Sequence, residues 1–75
     1  MRRYRAIGEF EATEITGPFT RTVTTGDELC FMHWTGDGHD LWAVFAFLID
    51  RTAGVVPGSQ FIAKSVDFES LTEPV

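Results

Sequence analysis

Polar and apolar residues alternate over the first part of the chain. Between Arg3 and Thr13, charged and polar residues occupy one face, and Ile7 is the exception on that face. The opposite face consists of small and apolar residues, namely Tyr4, Ala6, Gly8, Phe10 and Ala12. A period of two over this length is typical of a half-buried strand, so the pattern predicts one long strand at residues 3–13.

Two further strands are predicted before the middle of the chain. Residues 20–25 are rich in β-branched threonine and valine, which favour an extended backbone. A turn at Gly26 and Asp27 leads into a second strand at Glu28–Trp34, whose faces are both mostly apolar. Regular alternation in this strand predicts two opposed sets of residues: Leu29, Phe31 and His33 against Cys30, Met32 and Trp34.

The most apolar segment follows a predicted loop. Residues 35–40 contain two glycines and two aspartates, which suit a turn with positive backbone angles. The nine uncharged apolar residues of Leu41–Ile49 come next. This run is too short for a membrane-spanning helix and is apolar on both faces, so it predicts a strand that is covered on both sides.

The last third of the chain predicts shorter elements. They are a turn at 50–54, a strand at Val55–Val56, a tight turn at 57–60 and extended structure at Phe61–Phe68. Five or six short strands with glycine-marked turns indicate an all-β fold. We therefore predict a small five- or six-stranded barrel that forms a single domain over residues 1–75, with its core at about 3–68.

Five short motifs between Ala6 and Ala63 occur in an order that one family shares. They are Ala6–Ala12, Gly26–Leu29, Asp40–Ala43, Gly54–Pro57 and Ser59–Ile62. In this order they resemble the first strand, the strand entry, the tryptophan-bearing strand and the final Gly-Tyr-Ile-Pro and Ser-Asn-Tyr-Val stretches of the Src homology 3 barrels. The resemblance implies a small β-barrel and covers most of the chain.

The same resemblance implies a groove of aromatic rings that binds proline-rich peptides. Phe10, Trp42, Pro57 and Phe61 match groove positions, whereas Gly8 stands where the family has a tyrosine. Because this tyrosine and two phenol hydroxyls are missing, we expect the barrel architecture with a different use. The expected binding residues are Phe10, Trp34, Trp42, Pro57 and Phe61, with Glu9, Glu11 and Glu14 as an acidic rim that favours a basic partner.

Charge narrows the partner classes. The chain has a net charge of −5, and Arg2, Arg3 and Arg5 lie at its start. The other seventy residues carry three basic and eleven acidic side chains, a net charge of −8. Such a body repels phosphate, so we expect neither nucleic-acid nor anionic-membrane binding. Because Glu9 and Glu11 share the polar face with Arg3 and Arg5, the pattern predicts ion pairs between the two groups.

Cysteine usage and apolar runs suggest a compartment. Cys30 is the single cysteine, so no internal disulfide can form and a reducing environment is expected. The first residues lack the apolar stretch of a signal peptide, and no window is long enough to span a membrane. We therefore predict a cytoplasmic protein.

One cluster has residue types that bind metals. It contains Cys30, His33, Asp37, His39 and Asp40. Cys30 and His33 are separated by an odd number of positions, which would point them to opposite faces of a regular strand. Asp37 and Asp40 lack the ordered spacing of a calcium loop. We therefore expect no metal, no cofactor and no catalytic residue, and the loop is interpreted as a solvated turn.

Two functional hypotheses remain from the sequence. The first is a noncatalytic protein-interaction module, a small β-barrel of bacterial type that forms a homodimer or larger oligomer. Its interface would use Phe45 and Phe47 on one face of the apolar strand and Trp42 on the other, unless residues 13–25 or the tail at Phe68 and Leu71 cover the second face. The alternative is a small-molecule-binding protein or small enzyme with an aromatic pocket at the barrel mouth or subunit interface, where His33 or His39 supplies the polar group.

Overall fold

The computed structural model of the chain describes residues 2–17, 19–48 and 59–75. The elements within them are β1 (Arg2–Ala6), β2 (Phe10–Glu14), β3 (Thr20–Val23), β4 (Glu28–Gly36), β5 (Leu41–Phe47), β6 (Gln60–Lys64), α1 (Ser65–Leu71) and β7 (Thr72–Pro74). The predicted all-β class is confirmed. The described residues contain seven strands where five or six were expected.

All strands belong to one antiparallel sheet that curls into a half-barrel. The strand order is β3-β2-β6-β5-β4-β1-β7. β5 lies in the middle and pairs with β4 on one side and β6 on the other. The hydrophobic core lies on one face of the sheet, which we call the inner face. Its members are Ala6, Phe10, Ala12, Val23, Leu29, Ala43, Phe45, Phe61, Ala63 and Phe68.

The predicted long strand at 3–13 is two strands in the structure. Its alternation is correct, since Ala6, Phe10 and Ala12 are all buried. The strand is interrupted after Ala6 because its two halves pair with different neighbours, β1 with β4 and β7, and β2 with β3 and β6. Ile7, which broke the pattern, is exposed at this bend. The change of partners allows the sheet to curl around its core.

A helix replaces part of the predicted extended segment at Phe61–Phe68. The strand β6 ends at Lys64, and α1 follows immediately. Seven residues are too few for a helix that is stable alone, so tertiary contacts must hold it. Phe68 supplies them, because its buried ring lies 5.5 Å from the ring of Phe45 and 5.1 Å from that of Tyr4 between ring centroids. The prediction of extended structure beyond Lys64 is therefore wrong.

A β-bulge at Met32 changes the faces of β4. The pairing with β5 runs from Phe31 opposite Phe45 to His33 opposite Val44, so Met32 is the extra residue. Phe31 and Trp34 consequently share the inner face, with ring centroids 5.0 Å apart. The predicted alternation of β4 is wrong beyond the bulge.

The part of the chain that the structure describes has no helix long and apolar enough to cross a membrane. The predicted turn at 50–54, the predicted strand at Val55–Val56 and Pro57 lie outside the described residues.

Candidate binding site

Two of the aromatic residues expected in a binding groove are core residues. Phe10 and Phe61 are both buried on the inner face. The ring centroid of Phe10 lies 6.3 Å from that of Phe45, and the centroid of Phe61 lies 5.2 Å from that of Phe47. The rings of Phe10 and Phe61 therefore pack inside the chain and leave little surface for a partner. Pro57 lies outside the described residues.

The two tryptophans lie on opposite faces of the sheet. Trp34 pairs with Ala43 across β4 and β5, so it lies on the inner face. Its indole contacts the ring of Phe68 at 6.1 Å between centroids, and 40% of the residue is exposed. Trp42 directly precedes Ala43 on β5. Its side chain therefore points to the opposite face of the sheet, which we call the outer face. The structure does not join the two indoles into one groove.

The side chain of Leu71 fills the space beside Gly8, the residue that stands where the resemblance places a groove tyrosine. A Cβ atom at Gly8 would lie 2.7 Å from Cδ2 of Leu71. The backbone amide of Ile7 also donates a hydrogen bond to the carbonyl oxygen of Leu71, at 2.8 Å. The end of α1 thus closes on the first bend of the chain, and a larger residue at position 8 requires the side chain of Leu71 to move.

The acidic rim residues are divided between the faces. Glu9 and Glu11 are exposed, and Glu11 accepts a hydrogen bond of 2.8 Å from the hydroxyl of Thr22. Glu14 pairs with Phe61 across β2 and β6, so it lies on the inner-face side of the sheet.

Arg3 and Arg5 do not pair with these acids. Both contact Glu28, with nitrogen–oxygen distances of 3.4 and 3.8 Å. The predicted ion pairs with Glu9 and Glu11 are wrong, because the bend after Ala6 separates β1 from β2.

The expected interface residues are mostly used inside the chain. Phe45 is completely buried, and Phe47 packs against the core. The guanidinium carbon of Arg21 lies 3.8 Å from the centroid of the Phe47 ring, a cation–π contact. Trp42 and Phe47 are both half-buried, and of these two Trp42 lies on the outer face, away from the core cluster.

A cleft of about 270 Å³ lies where β5 and α1 begin. Its lining consists of His39, Asp40, Leu41, Trp42, Lys64, Ser65 and Val66. We call it the Trp42 cleft. Trp42 and Lys64 are direct cross-strand partners, which places the indole beside the base of the lysine side chain. Leu41 and Val66 are 37% and 65% exposed, so apolar surface continues outside the cleft.

A tight hairpin loop positions the polar rim of this cleft. The carboxylate of Asp37 accepts hydrogen bonds from the backbone amides of His39 and Asp40, at 3.3 and 3.4 Å. Gly36 has a φ of +105°, and a Cβ there would overlap the carbonyl oxygen of Asp40. Only glycine fits this position readily. The sequence prediction of a glycine-rich turn is confirmed, and its consequence is a fixed place for His39 and Asp40.

The charges of the cleft are few. Lys64 is exposed, and within residues 2–17, 19–48 and 59–75 no carboxylate lies within ion-pair distance of it. The cleft therefore offers an indole, two aliphatic side chains and the ammonium group of Lys64, together with the imidazole of His39, the carboxylate of Asp40 and the hydroxyl of Ser65. Such a set can hold an apolar side chain and an adjacent anionic or carbonyl oxygen.

The metal-binding residue types do not assemble into a site among the described residues. No group of three or more histidine, cysteine, aspartate or glutamate side chains there could hold a metal ion. The bulge at Met32 gives Cys30 and His33 the same face, contrary to the expectation from regular alternation. His33 instead has Nδ1 within 3.1 Å of the carbonyl oxygen of Trp34.

Sequence reasoning missed Lys64, Ser65 and Val66 as residues of the cleft, and among these Val66 supplies the apolar surface. Val66 was expected in the extended segment Phe61–Phe68, where strand alternation does not distinguish it from its neighbours. In the structure it lies near the start of α1, beside the hairpin loop. The spacing of Phe68 and Leu71, three residues apart, was the available signal for a helical turn.

Comparison with protein-family models, with curated proteins and with solved structures finds no match for this chain.

Proposed function

We propose that the protein is a noncatalytic protein-interaction module that holds an apolar side chain of its partner in the Trp42 cleft. The observation that carries the proposal is the continuity of apolar surface from the half-buried Trp42 to the exposed Leu41 and Val66. Tryptophan is enriched among residues that dominate binding energy when a well-packed pocket surrounds it.

The size of the cleft favours a protein partner over a free small molecule. Pockets for drug-sized ligands measure about 300–1,000 Å³. At about 270 Å³ the Trp42 cleft is below this range and fits one side chain. A partner protein gains further contact with the exposed rim, whereas a small ligand would leave the rim in water.

The test uses peptides selected from a random library on the immobilised protein. We expect the selected peptides to share one large apolar residue and to bind Val66→Ser at least about tenfold more weakly, since a lost apolar anchor costs about 1.5–3 kcal/mol. The matched control is Ile7→Ser, because Ile7 is also about half exposed but lies at the bend between β1 and β2. Equal binding to both variants would place the binding surface elsewhere.

The small-molecule alternative rests on the polar rim. His39 and Lys64 flank the cleft and would orient a carboxylate or phosphate group of a ligand. A thermal-shift screen of anionic aromatic fragments tests it. A shift that His39→Ala and Lys64→Ala both remove supports a small-molecule binder; absence of any shift, together with peptide selection, supports the interaction module.

Self-association is the proposed form of the module in solution, with Trp42 as its remaining contact residue. Since Phe45 is completely buried, the proposed contact with a second copy uses the exposed part of Trp42, so self-association and the binding of another partner compete for the cleft. Sedimentation at increasing concentration measures this directly. We expect Trp42→Ala to lower the average mass, and a wild-type chain that stays monomeric would contradict self-association.

The Src homology 3 barrel is the architecture we propose for the complete chain. Two of its motifs support it. Gly26 has a φ of +99° directly before β4, and β5 begins at Leu41 within the tryptophan-bearing motif. Backbone chemical shifts of residues 49–58 test the barrel, because the fourth motif, Gly54–Pro57, should then have an extended backbone.

A further inference from the structure

The sheet ends in two strands, β3 and β7, which differ in the backbone groups they present. Within the described residues, each of these strands has a paired neighbour on one side. In an antiparallel pair, every second residue directs its N–H and C=O groups away from the neighbour. An outward-facing row of such groups can bind an added strand.

The outward edge of β7 is blocked. The amide of Val75 donates to the carbonyl of Arg3 at 2.9 Å, so the residues bonded to β1 are Val75 and, two positions away, Glu73. Pro74 lies between them and faces outward. Proline has no N–H, so the middle of this edge offers no donor.

The outward edge of β3 is open in the described part of the chain. The amide of Glu14 donates to the carbonyl of Phe19 at 2.9 Å, and the register then bonds Arg21 to Ala12. Thr20 and Thr22 consequently direct their N–H and C=O groups outward, and both residues are exposed.

The open segment ends at Thr24. Its amide donates to the carboxylate of Asp27 at 2.9 Å, so this N–H is already satisfied. An added strand therefore aligns with Thr20–Val23, a short segment that holds a few residues of a partner.

The side chains beside β3 select the chemistry of that partner. On the outer face the hydroxyl of Thr22 holds the carboxylate of Glu11 next to the edge, and Glu9 precedes it on the same face. By strand alternation, Phe19 and Arg21 lie on the inner-face side of the sheet. Phe19 is 68% exposed, and Arg21 contacts the Phe47 ring. Acidic groups thus flank one side of an added strand, and an apolar ring flanks the other.

We propose that the β3 edge binds, by strand addition, an extended segment of a partner protein in which basic residues alternate with apolar residues. Its basic side chains lie beside Glu11 and Glu9, and its apolar side chains lie beside Phe19. This surface is separate from the Trp42 cleft, because β2 and β6 lie between β3 and β5.

A second copy of the chain does not fit this description. β1 has the alternating pattern at Arg3, Tyr4, Arg5 and Ala6, but it is already paired on both sides by β4 and β7. Pairing of β3 with the β3 of another copy, in the register that bonds Thr20 to Thr22, would place the two Arg21 side chains directly opposite each other. Like charges across strands are unfavourable.

The experiment measures binding of a fluorescent short peptide that alternates lysine and valine. Its control has the same composition in two blocks, which keeps the charge and removes the alternation. We expect Thr22→Pro to weaken binding of the alternating peptide about tenfold, because it deletes an outward N–H and adds a ring at the edge. Thr22→Val keeps the N–H and should stay within about threefold of the wild type. Glu11→Gln should weaken binding about threefold, since an exposed ion pair contributes little.

Circular dichroism establishes whether Thr22→Pro folds, and Thr20→Pro replaces it if it does not. Independently, the wild-type amides of Thr20 and Thr22 should exchange more slowly with solvent when the alternating peptide is present. Equal affinity for both peptides, or unchanged binding by a folded proline variant, overturns the proposal. Concentration-dependent association of the free protein that the proline variant removes overturns it as well, because the occupant would then be a second copy.

Discussion

Phe45 and Val44 are neighbours on β5 and are both almost completely buried, but they lie on opposite faces of the sheet. Phe45 packs on rings from distant segments, with the centroids of Phe10 and Phe68 at 6.3 and 5.5 Å. Val44 lies outside the core and is paired with Ile62 on the adjacent strand β6. Equal burial thus occurs on both faces of β5, although only the inner-face residue belongs to the core cluster.

This difference suggests a division of roles. The inner face joins β2, β5 and α1 and therefore holds the fold together. No described residue of the outer face belongs to this cluster, so we expect substitutions there to be tolerated better. If this interpretation is correct, substitutions of similar size should have very different effects on stability at the two places.

The largest effect is expected for Phe68→Ala. Removal of a buried phenylalanine costs about 3–5 kcal/mol, which is comparable to the total stability of a domain this small. We expect a large part of this variant to be unfolded at room temperature, as measured by urea denaturation followed by tryptophan fluorescence. A loss below about 1 kcal/mol would show that α1 does not hold the inner face.

A smaller loss is expected for Gly36→Ala at the hairpin beside the Trp42 cleft. The new methyl group would overlap the carbonyl of Asp40, and the φ of +105° is costly for any side chain. We expect a loss of about 2–4 kcal/mol in the free energy of unfolding. The matched control is Gly38→Ala, because a Cβ at Gly38 meets no atom within 4 Å. Equal stability of the two variants would contradict the tight loop.

Val44→Ala tests the outer face directly. It removes two buried methyl groups from a residue that is 1% exposed, so we expect a loss of about 1–3 kcal/mol. The two-state fit of a urea titration gives the value. If Val44→Ala costs as much as Phe68→Ala, the outer face is a second core, and the comparison between the two faces fails.

The smallest effect is expected for Val66→Ser. Val66 and Phe68 lie on the same helix, but Val66 is 65% exposed, so its replacement should change stability by less than about 0.5 kcal/mol. The same variant should lose peptide binding, as described for the Trp42 cleft. A stability loss above about 1 kcal/mol would mean that Val66 supports the fold, and its binding data would then need a second variant such as Leu41→Ser.

Much of the architecture follows from local pattern. The turn at Gly26 and Asp27 was predictable because turn chemistry depends on a few adjacent residues, and the carboxylate of Asp27 indeed accepts the Thr24 amide. The burial of β5 on both faces followed from its apolar residues, and the buried Val44 and Phe45 confirm it. The buried set Ala6, Phe10 and Ala12 followed from alternation.

The binding surfaces were less predictable. Trp42 was identified from the sequence, but its cleft is completed by Val66, whose position depends on a helix that the sequence did not predict. Phe10 and Phe61 were expected in a groove and lie in the core. Aromatic residues suit both places equally well, so composition alone does not separate them.

The sequence by itself determined the all-β class, the turns at Gly26 and Asp27 and at residues 35–40, and the burial of the apolar strand on both faces, because these depend on residue type and on a period of two. Tertiary structure decided the bend after Ala6, the bulge at Met32 and the helix α1. The physical reason is the choice of partners. Which strands pair, and where Phe68 packs, depends on residues far apart in the chain, and that choice also decides which edge of the sheet stays open.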